Sequence, residues 1–172
     1  MTLENRAQAR LNEFATHLPL LLACVSNTHG SVLELGCGSY STPLLHAVCL
    51  GRELWSYEGS AEWYARFKRF HRGSHRVQLA SNWTDIPIER PWDVALVGHS
   101  PAARRAVEVT RLRGHARLIV VHDTEHRLYD LEPVLAPFKH RVEWRAYSPW
   151  TSVVSDVDDL AWLADVASGG GS

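Results

Sequence analysis

The sequence has few cysteines, one methionine, almost no net charge and no long apolar run. Its three cysteines, Cys24, Cys37 and Cys49, are too few and too widely spaced for a disulfide framework or a paired-cysteine metal site. The formal charge of −1 excludes a whole-chain excess of the kind that attracts nucleic acid or membranes. The longest apolar run, residues 18–25, contains Pro19 and is too short to cross a bilayer.

The first six residues mix polar and charged side chains and carry no secretion signal, so we expect a cytoplasmic protein with no membrane association. The length of 172 residues predicts one domain, which we assign to residues 1–167. The Ser/Gly tail, residues 168–172, is typical of a flexible linker and is left out of the predicted fold. Apolar residues at 45% and charged residues at 22% are ordinary for a globular protein.

Apolar spacing along the chain switches between the helical and the strand period. It predicts strands over residues 31–35, 53–58, 76–80, 92–97, 116–122, 141–147 and 151–155. It predicts helices over residues 3–18, 19–30, 42–50, 61–70, 101–112, 125–135 and 158–166. This alternation predicts an α/β three-layer sandwich with a seven-stranded, mostly parallel sheet. The last strand is expected to be antiparallel because only a short connection precedes it.

The turn after the first strand carries the strongest functional signal. It contains Gly36 and Gly38, which let the backbone turn tightly and approach a ligand closely. Glu58 ends the next strand, where a carboxylate can accept hydrogen bonds from both hydroxyls of a ribose. Ligands of such sheets bind beyond the carboxyl ends of the strands. The pattern predicts a nucleoside cofactor there; the alternative is a plain tight turn beside a solvated Glu58.

The segment Glu34-Leu35-Gly36-Cys37-Gly38 resembles the first motif of class I S-adenosylmethionine-dependent methyltransferases. The resemblance covers about residues 30–155. Residues 92–97 and 117–123 match the fourth and fifth strands of that Rossmann-like fold, and the late hairpin matches its antiparallel seventh strand. The resemblance implies that the chain binds S-adenosylmethionine, releases S-adenosylhomocysteine and methylates an oxygen or nitrogen acceptor of unknown identity.

The resemblance also implies which residues contact the cofactor. Its methionine part would lie at the first turn and its ribose at the end of the second strand. The adenine would follow the third strand, and the methyl end would lie near the end of the fourth. In that order the residues are Glu34, Gly36, Cys37, Gly38, Ser39 and Tyr40; Glu58 and Gly59; Ser81, Asn82 and Trp83; Gly98 and His99. Asn82 suits the adenine edge and Trp83 its face, with packing on the sheet edge as the alternative for Trp83.

His99, His122 and Asp123 are the candidate catalytic residues at the same edge. Methyl transfer needs an aligned acceptor and in some cases the removal of a proton. Histidine titrates near neutral pH, so His99 or His122 is a candidate base. Asp123 would orient an imidazole or an acceptor hydroxyl. The alternative for His122 is a strand-end histidine that Asp123 orients.

A divalent metal is not expected. Some relatives that methylate hydroxyls hold a divalent ion through acids after the fourth and fifth strands, and Asp123 could be one such acid. Gly98, however, stands where those relatives have the other acid. His99, Asp123 and His126 could together hold a transition metal, but their spacing matches no compact motif.

Two other functions remain open. Gly98 in place of an acid is compatible with a sensor or interaction module that binds the cofactor without transferring a methyl group. A nicotinamide-dependent oxidoreductase is a weaker hypothesis, because Ser41 stands where dinucleotide motifs have a third glycine. The chain leaves no room for a substrate domain, so we expect an acceptor site that is open or completed by another copy of the chain in a homo-oligomer.

A basic run lies in the first half of the chain and contains Arg66, Lys68, Arg69, Arg72 and Arg76. No acid occurs between residues 63 and 76. The simpler interpretation is a solvated helix end, where cations suit the helix dipole. The alternative is a site for RNA or another polyanion, although no nucleic-acid-binding module is recognisable.

Overall fold

The computed structural model describes residues 13–167, in which seven strands form one sheet. The strands are β1 (Val32–Leu35), β2 (Leu54–Glu58), β3 (His75–Leu79), β4 (Trp92–Val97), β5 (Ala116–His122), β6 (His140–Trp144) and β7 (Thr151–Ser155). Their order is β3-β2-β1-β4-β5-β7-β6. The first five strands are parallel, and β7 runs antiparallel between β5 and β6. The predicted sheet with an antiparallel last strand is confirmed.

Helices cover both faces of the sheet. In the described part of the chain they are α1 (Leu18–Ser26), α2 (Ser41–Val48), α3 (Ala61–Phe67), α4 (Arg105–Leu112), α5 (Glu132–Leu135) and α6 (Ala164–Ala167). Pro19 lies in the first turn of α1, where its missing N–H costs no hydrogen bond. Ser60 begins α3, because its hydroxyl accepts the Trp63 N–H. Within the described residues, no helix is long and apolar enough to cross a membrane.

Several predicted helices differ from those observed. The predicted helix over residues 125–135 is a 3-10 turn, Arg127–Tyr129, followed by the four-residue α5. Asp130 between them has a left-handed φ of 44°, and Pro133 has no N–H to donate, so a continuous helix cannot form. The predicted last helix is likewise a 3-10 turn, Ala161–Leu163, and then α6. The first predicted helix lies mostly outside the described residues.

Alternate residues of the central strands pack against opposite layers. Leu33, Ala95 and Ile119 belong to the core under α4 and α5. Val94 and Val120, one position away on the same strands, belong to the core under α1 and α2. Because both faces of the sheet are covered, the carboxyl edge of the parallel strands is the part of the sheet left for a ligand.

Replacement of Ile119 by alanine should lower the free energy of unfolding by about 2–5 kcal/mol, because it opens a cavity in a closely packed core. Ile119 is fully buried, whereas the apolar side chain of Leu50 is 80% exposed. Leu50→Ala should therefore change stability by less than about 0.5 kcal/mol. Chemical denaturation of both variants measures the difference, and equal losses would contradict this account of the core.

Candidate active site

The glycine turn after β1 lies directly against the loop after β4. Gly36 has a φ of 94°, a conformation that L side chains rarely adopt. A Cβ atom at this position would lie 2.6 Å from the Cα atom of His99. A Cβ at Gly38 would lie 2.9 Å from the Ser41 hydroxyl oxygen. Both glycines are therefore needed where the turn meets its neighbours.

Glu58 joins this turn to the end of β2. One carboxylate oxygen accepts the Cys37 N–H at 3.0 Å, and the other accepts the Ser60 N–H at 2.8 Å. Burial raises the pKa of Glu58, and these backbone hydrogen bonds act in the opposite direction. A carboxylate oxygen can accept more than one hydrogen bond, so both oxygens keep capacity for further donors.

Glu34 lies beneath the turn rather than in the ligand space. Its side chain is fully buried, and the Thr42 hydroxyl lies 3.0 Å from both of its oxygens. The Gly38 N–H in turn donates to the Thr42 hydroxyl at 2.9 Å. Burial raises the pKa of Glu34 to about 7, against hydrogen bonds from neighbouring hydroxyls. The expected contact of Glu34 with the cofactor stays a prediction, whereas its support of the turn is a direct observation.

A chain of hydrogen bonds leads from Glu34 to the surface of α2. Ser56 hydrogen-bonds to Glu34, and its hydroxyl oxygen lies 2.9 Å from Nε2 of His75. Nδ1 of His75 lies 3.0 Å from Nδ1 of the half-buried His46. Burial and the neighbouring His46 lower the pKa of His75 to about 4. His75 is therefore neutral near pH 7 and can link Ser56 to His46.

His99 is enclosed at the end of β4. Its Nε2 lies 3.2 Å from a carboxylate oxygen of Glu108, and its ring centroid lies 4.1 Å from that of Trp83. Burial lowers the pKa of His99, although Glu108 favours the protonated form. A neutral ring that donates from Nε2 has Nδ1 as an acceptor, and Nδ1 has no hydrogen-bond partner among the described residues. Glu108, which Arg104 also contacts, had no recognisable signal in the sequence.

His122 is covered by the segment that precedes α1. Its Nε2 lies 2.9 Å from the Thr16 hydroxyl, and the ring of His17 contacts it edge-on at 4.7 Å between centroids. Burial lowers the pKa of His122. Its Nδ1 is 3.7 Å from the nearest Asp123 oxygen, too far for a hydrogen bond. The role of His122 as a base stays a prediction, and in this structure its nitrogens face protein groups.

Among the three candidate catalytic residues, Asp123 is the one with a partly exposed carboxylate. Its side chain is 19% exposed. Its φ of 61° lies in the left-handed region, which aspartate tolerates better than most residues. The guanidinium of buried Arg105 donates to its carboxylate. Arg105 also donates to the carbonyls of Gly98, His99 and His122 at 2.9–3.0 Å. This arginine therefore fastens the ends of β4 and β5 together.

The loop after β3 lies next to this edge. Trp83 is buried, and its indole N–H donates to the Ser100 carbonyl at 3.0 Å. A Cβ at Gly59 would lie 3.0 Å from the same indole nitrogen, so the ring lies against the β2 turn. Asn82 and Ser81 are exposed, and the Asn82 amide bonds to Thr84 and Asp85 in its own turn. The adenine contacts of these residues stay predictions.

The remaining site residues leave space at the edge. A Cβ at Gly98 would meet no atom closer than 4.0 Å, so the end of β4 is open. Ser39 and Tyr40 are exposed at the start of α2.

Over residues 13–167, no three His, Cys, Asp or Glu side chains are grouped so that they could hold a metal ion. His126 stacks on Tyr129, with ring centroids 4.3 Å apart.

Solved structures share this architecture at low sequence identity. The N-methyltransferase NodS from Bradyrhizobium japonicum, solved with S-adenosyl-L-homocysteine, matches with a TM-score of 0.62 and 12% identity, over 89% of this chain and 91% of NodS. The human methyltransferase 10 domain containing protein matches at 0.55 and 14% identity, over 81% and 83% of the two chains. The ribosomal protein L11 methylase from Lactobacillus delbrueckii subsp. bulgaricus matches at 0.53 and 16%, over 78% and 74%. No protein-family model and no curated protein sequence matches this chain.

These comparisons and the strand order agree on the class of fold. The chain has the Rossmann-like fold of class I S-adenosylmethionine-dependent methyltransferases, as its first glycine motif predicted. The glycine turn, Glu58 and the ends of β4 and β5 meet at the carboxyl edge of the sheet, the edge at which open α/β sheets bind ligands.

Replacement of Gly36 by alanine should destabilise the protein more than replacement of Gly51. Both glycines have a positive φ, 94° and 79°, so both substitutions strain the backbone by about 1–2 kcal/mol. In addition, a Cβ atom at position 36 would press against the backbone of His99, whereas a Cβ atom at position 51 would face open space. Chemical denaturation should show the larger loss for Gly36→Ala. Equal losses would mean that the turn does not need this close approach.

Replacement of Glu34 by glutamine should stabilise the protein at pH 8 more than at pH 5. Folding raises the pKa of this carboxyl from 4.5 to about 7. The stability that the protonated Glu34 carboxyl contributes is fully present below pH 4.5 and is lost as the pH rises through 7. Above that pH the folded protein must bury an ionised carboxylate, which burial disfavours. Glutamine does not titrate and avoids this loss.

The melting temperatures of Glu34→Gln and the parent at both pH values measure this effect. Glu62→Gln is the matched control, because the Glu62 side chain is 79% exposed. A difference between Glu34→Gln and the parent that is the same at pH 5 and pH 8 would contradict the raised pKa.

Proposed function

We propose that the chain binds S-adenosylmethionine at the carboxyl ends of β1, β2 and β4 and transfers its methyl group to an oxygen or nitrogen acceptor. The observation that carries the proposal is the Glu58 carboxylate, which is fastened to the glycine turn through Cys37 and to the next helix through Ser60. A ribose there would find an acceptor that is already oriented. When bound, S-adenosylmethionine supplies a methyl group activated by a sulfonium.

Two features of the edge fit this cofactor. Both oxygens of Glu58 can accept further hydrogen bonds, as the two hydroxyls of a ribose require. Gly98 leaves an open space between the ends of β1 and β5. The residues that would hold the cofactor are those of the glycine turn, from Gly36 to Tyr40, together with Glu58, Gly59, Ser81, Asn82, Trp83, Gly98 and His99.

Asp123 is the group best placed to meet the acceptor. It is partly exposed, and Arg105 fixes its orientation, so it can accept a hydrogen bond from the acceptor and align the acceptor's lone pair with the methyl group. As that lone pair forms the new bond to the methyl carbon, the carbon–sulfur bond would break to leave S-adenosylhomocysteine, and the acceptor's proton would pass along this hydrogen bond to Asp123 and from there to solvent. We infer that His99 and His122 act as positioning residues, because both are buried against protein groups. The Arg105 guanidinium already neutralises Asp123, which favours transfer without a divalent metal.

Isothermal titration calorimetry should detect binding of S-adenosylmethionine and S-adenosylhomocysteine to the parent protein. Glu58→Gln should weaken both by roughly 10–100-fold, because a charge-assisted hydrogen bond contributes about 1.5–3 kcal/mol. Glu62→Gln, on the exposed surface of α3, is the control and should bind as the parent does.

Failure of the parent to bind either compound at millimolar concentration would overturn the proposal. Binding of NADH in their place would support an oxidoreductase. Unchanged affinity in Glu58→Gln would show that the cofactor lies elsewhere, whether or not the chain transfers methyl groups.

A further inference from the structure

An open recess of about 890 Å³ lies between α2 and α3, on the side of the glycine turn away from Asp123. We call it the basic recess, and its lining includes Ser39, Tyr64, Arg66, Lys68, Arg69 and His71. The cofactor proposed above does not account for these cations, because the nucleoside residues lie on the strand ends. The recess is large enough for a ligand of nucleotide size or more.

Two cations of the basic recess, Lys68 and Arg69, differ from Arg66, which pairs with Glu62 at 2.6 Å. Most arginines elsewhere also pair with carboxylates, as in Arg113–Asp156, Arg117–Asp158 and Arg141–Glu132. Within residues 13–167, no carboxylate lies within 4.0 Å of Lys68 or Arg69. The same is true of Arg72 beside them. The dipole of α3 favours cations near its last turn but does not explain the more distant Arg72.

Aromatic rings accompany these cations. The Arg66 guanidinium lies 4.6 Å from the ring centroid of Trp63, and that of Arg69 lies 5.2 Å from that of Phe70. Tyr64 lines the recess itself. Sites for single-stranded nucleic acid combine a positive groove with aromatic or guanidinium planes on which bases stack. A site for acidic peptide would have no comparable use for the rings.

The basic recess is physically connected to the candidate cofactor turn. Ser39 belongs to both, because it follows Gly38 and also lines the recess. The Trp63 indole N–H donates to the Cys37 carbonyl, and Phe67 packs against Cys37 from the same helix. A strand bound in the recess would therefore touch the turn whose other side faces Glu58.

We propose that the basic recess binds the phosphates of a single-stranded nucleic acid and that this strand is the methyl acceptor. The second half rests on the proposed function, whereas the binding itself does not. The strands β1 and β5 are two strand spacings apart, so the recess lies at least about 10 Å from Asp123. A chain of nucleotides can span this distance, but a single phosphate group cannot.

Fluorescence anisotropy with a labelled single-stranded oligouridylate of about 15 nucleotides tests the binding. The double variant Lys68→Ala/Arg69→Ala should weaken binding at low salt by about tenfold or more. It should also reduce the slope of log K against log salt by about 1.4, because each lost phosphate contact accounts for about 0.7. The control Lys139→Ala/Arg145→Ala removes the same charge from exposed positions near β6 and should bind as the parent does.

Three results would overturn the binding proposal: no binding by the parent, equal weakening in both double variants, or an unchanged salt slope in Lys68→Ala/Arg69→Ala. Poly-glutamate that competes as well as the oligonucleotide would point to an acidic protein partner. Free uridine triphosphate that competes equally well would point to a mononucleotide. Either competition result would likewise contradict a strand-binding site.

Transfer of labelled methyl groups from S-adenosylmethionine to a mixed-sequence single strand tests the second half. Incorporation should occur with the parent and fall by about 100-fold or more in Asp123→Asn. The salt slope of strand binding should not change in this variant, because no phosphate contact is lost. Strand binding without incorporation, in a protein that calorimetry shows to bind S-adenosylmethionine, would overturn the acceptor class alone. Strand binding without any cofactor binding would instead overturn the proposed function.

Discussion

The hydrogen bond from the Cys37 backbone to the Glu58 carboxylate holds the glycine turn against the end of β2, and the candidate site is arranged around it. Gly36 must be a glycine so that this turn can also touch the backbone of His99. Glu34 and Thr42 support the turn from below. Three neighbouring strand ends are thereby joined into one surface before any ligand is present, which reduces the entropy that binding must offset.

Buried charges at this edge are matched by specific partners. Arg105 donates to three carbonyls and to Asp123, so each of its three guanidinium nitrogens has a hydrogen-bond acceptor. Glu108 is similarly contacted by His99 and Arg104. Hydrogen bonds and opposite charges from these partners hold the pKa of Glu108 low although burial acts to raise it. Pairs of this kind fix geometry more reliably than they add stability.

The seven-stranded sheet, its antiparallel last strand and the glycine turn could be predicted from the sequence, because strand period, connection length and turn glycines are local signals. Arg105 and Glu108 could not, because their importance comes from carbonyls and side chains far away in the chain. Thr16 and His17 were also missed, since nothing in residues 13–17 indicates that they cover His122. The helix predicted over residues 125–135 was wrong where Asp130 adopts a left-handed φ. Local patterns therefore defined the edge of the sheet, and long-range contacts decided which of its side chains are exposed.

The most direct test of the proposed cofactor site is a crystal structure of the chain grown with S-adenosylhomocysteine. The account predicts both ribose hydroxyls within hydrogen-bond distance of the Glu58 carboxylate, with the homocysteine chain over Gly36 and Gly38 and the sulfur facing Gly98. Density for S-adenosylhomocysteine away from the ends of β1 and β2, with Glu58 still bonded only to backbone N–H groups of this chain, would contradict it.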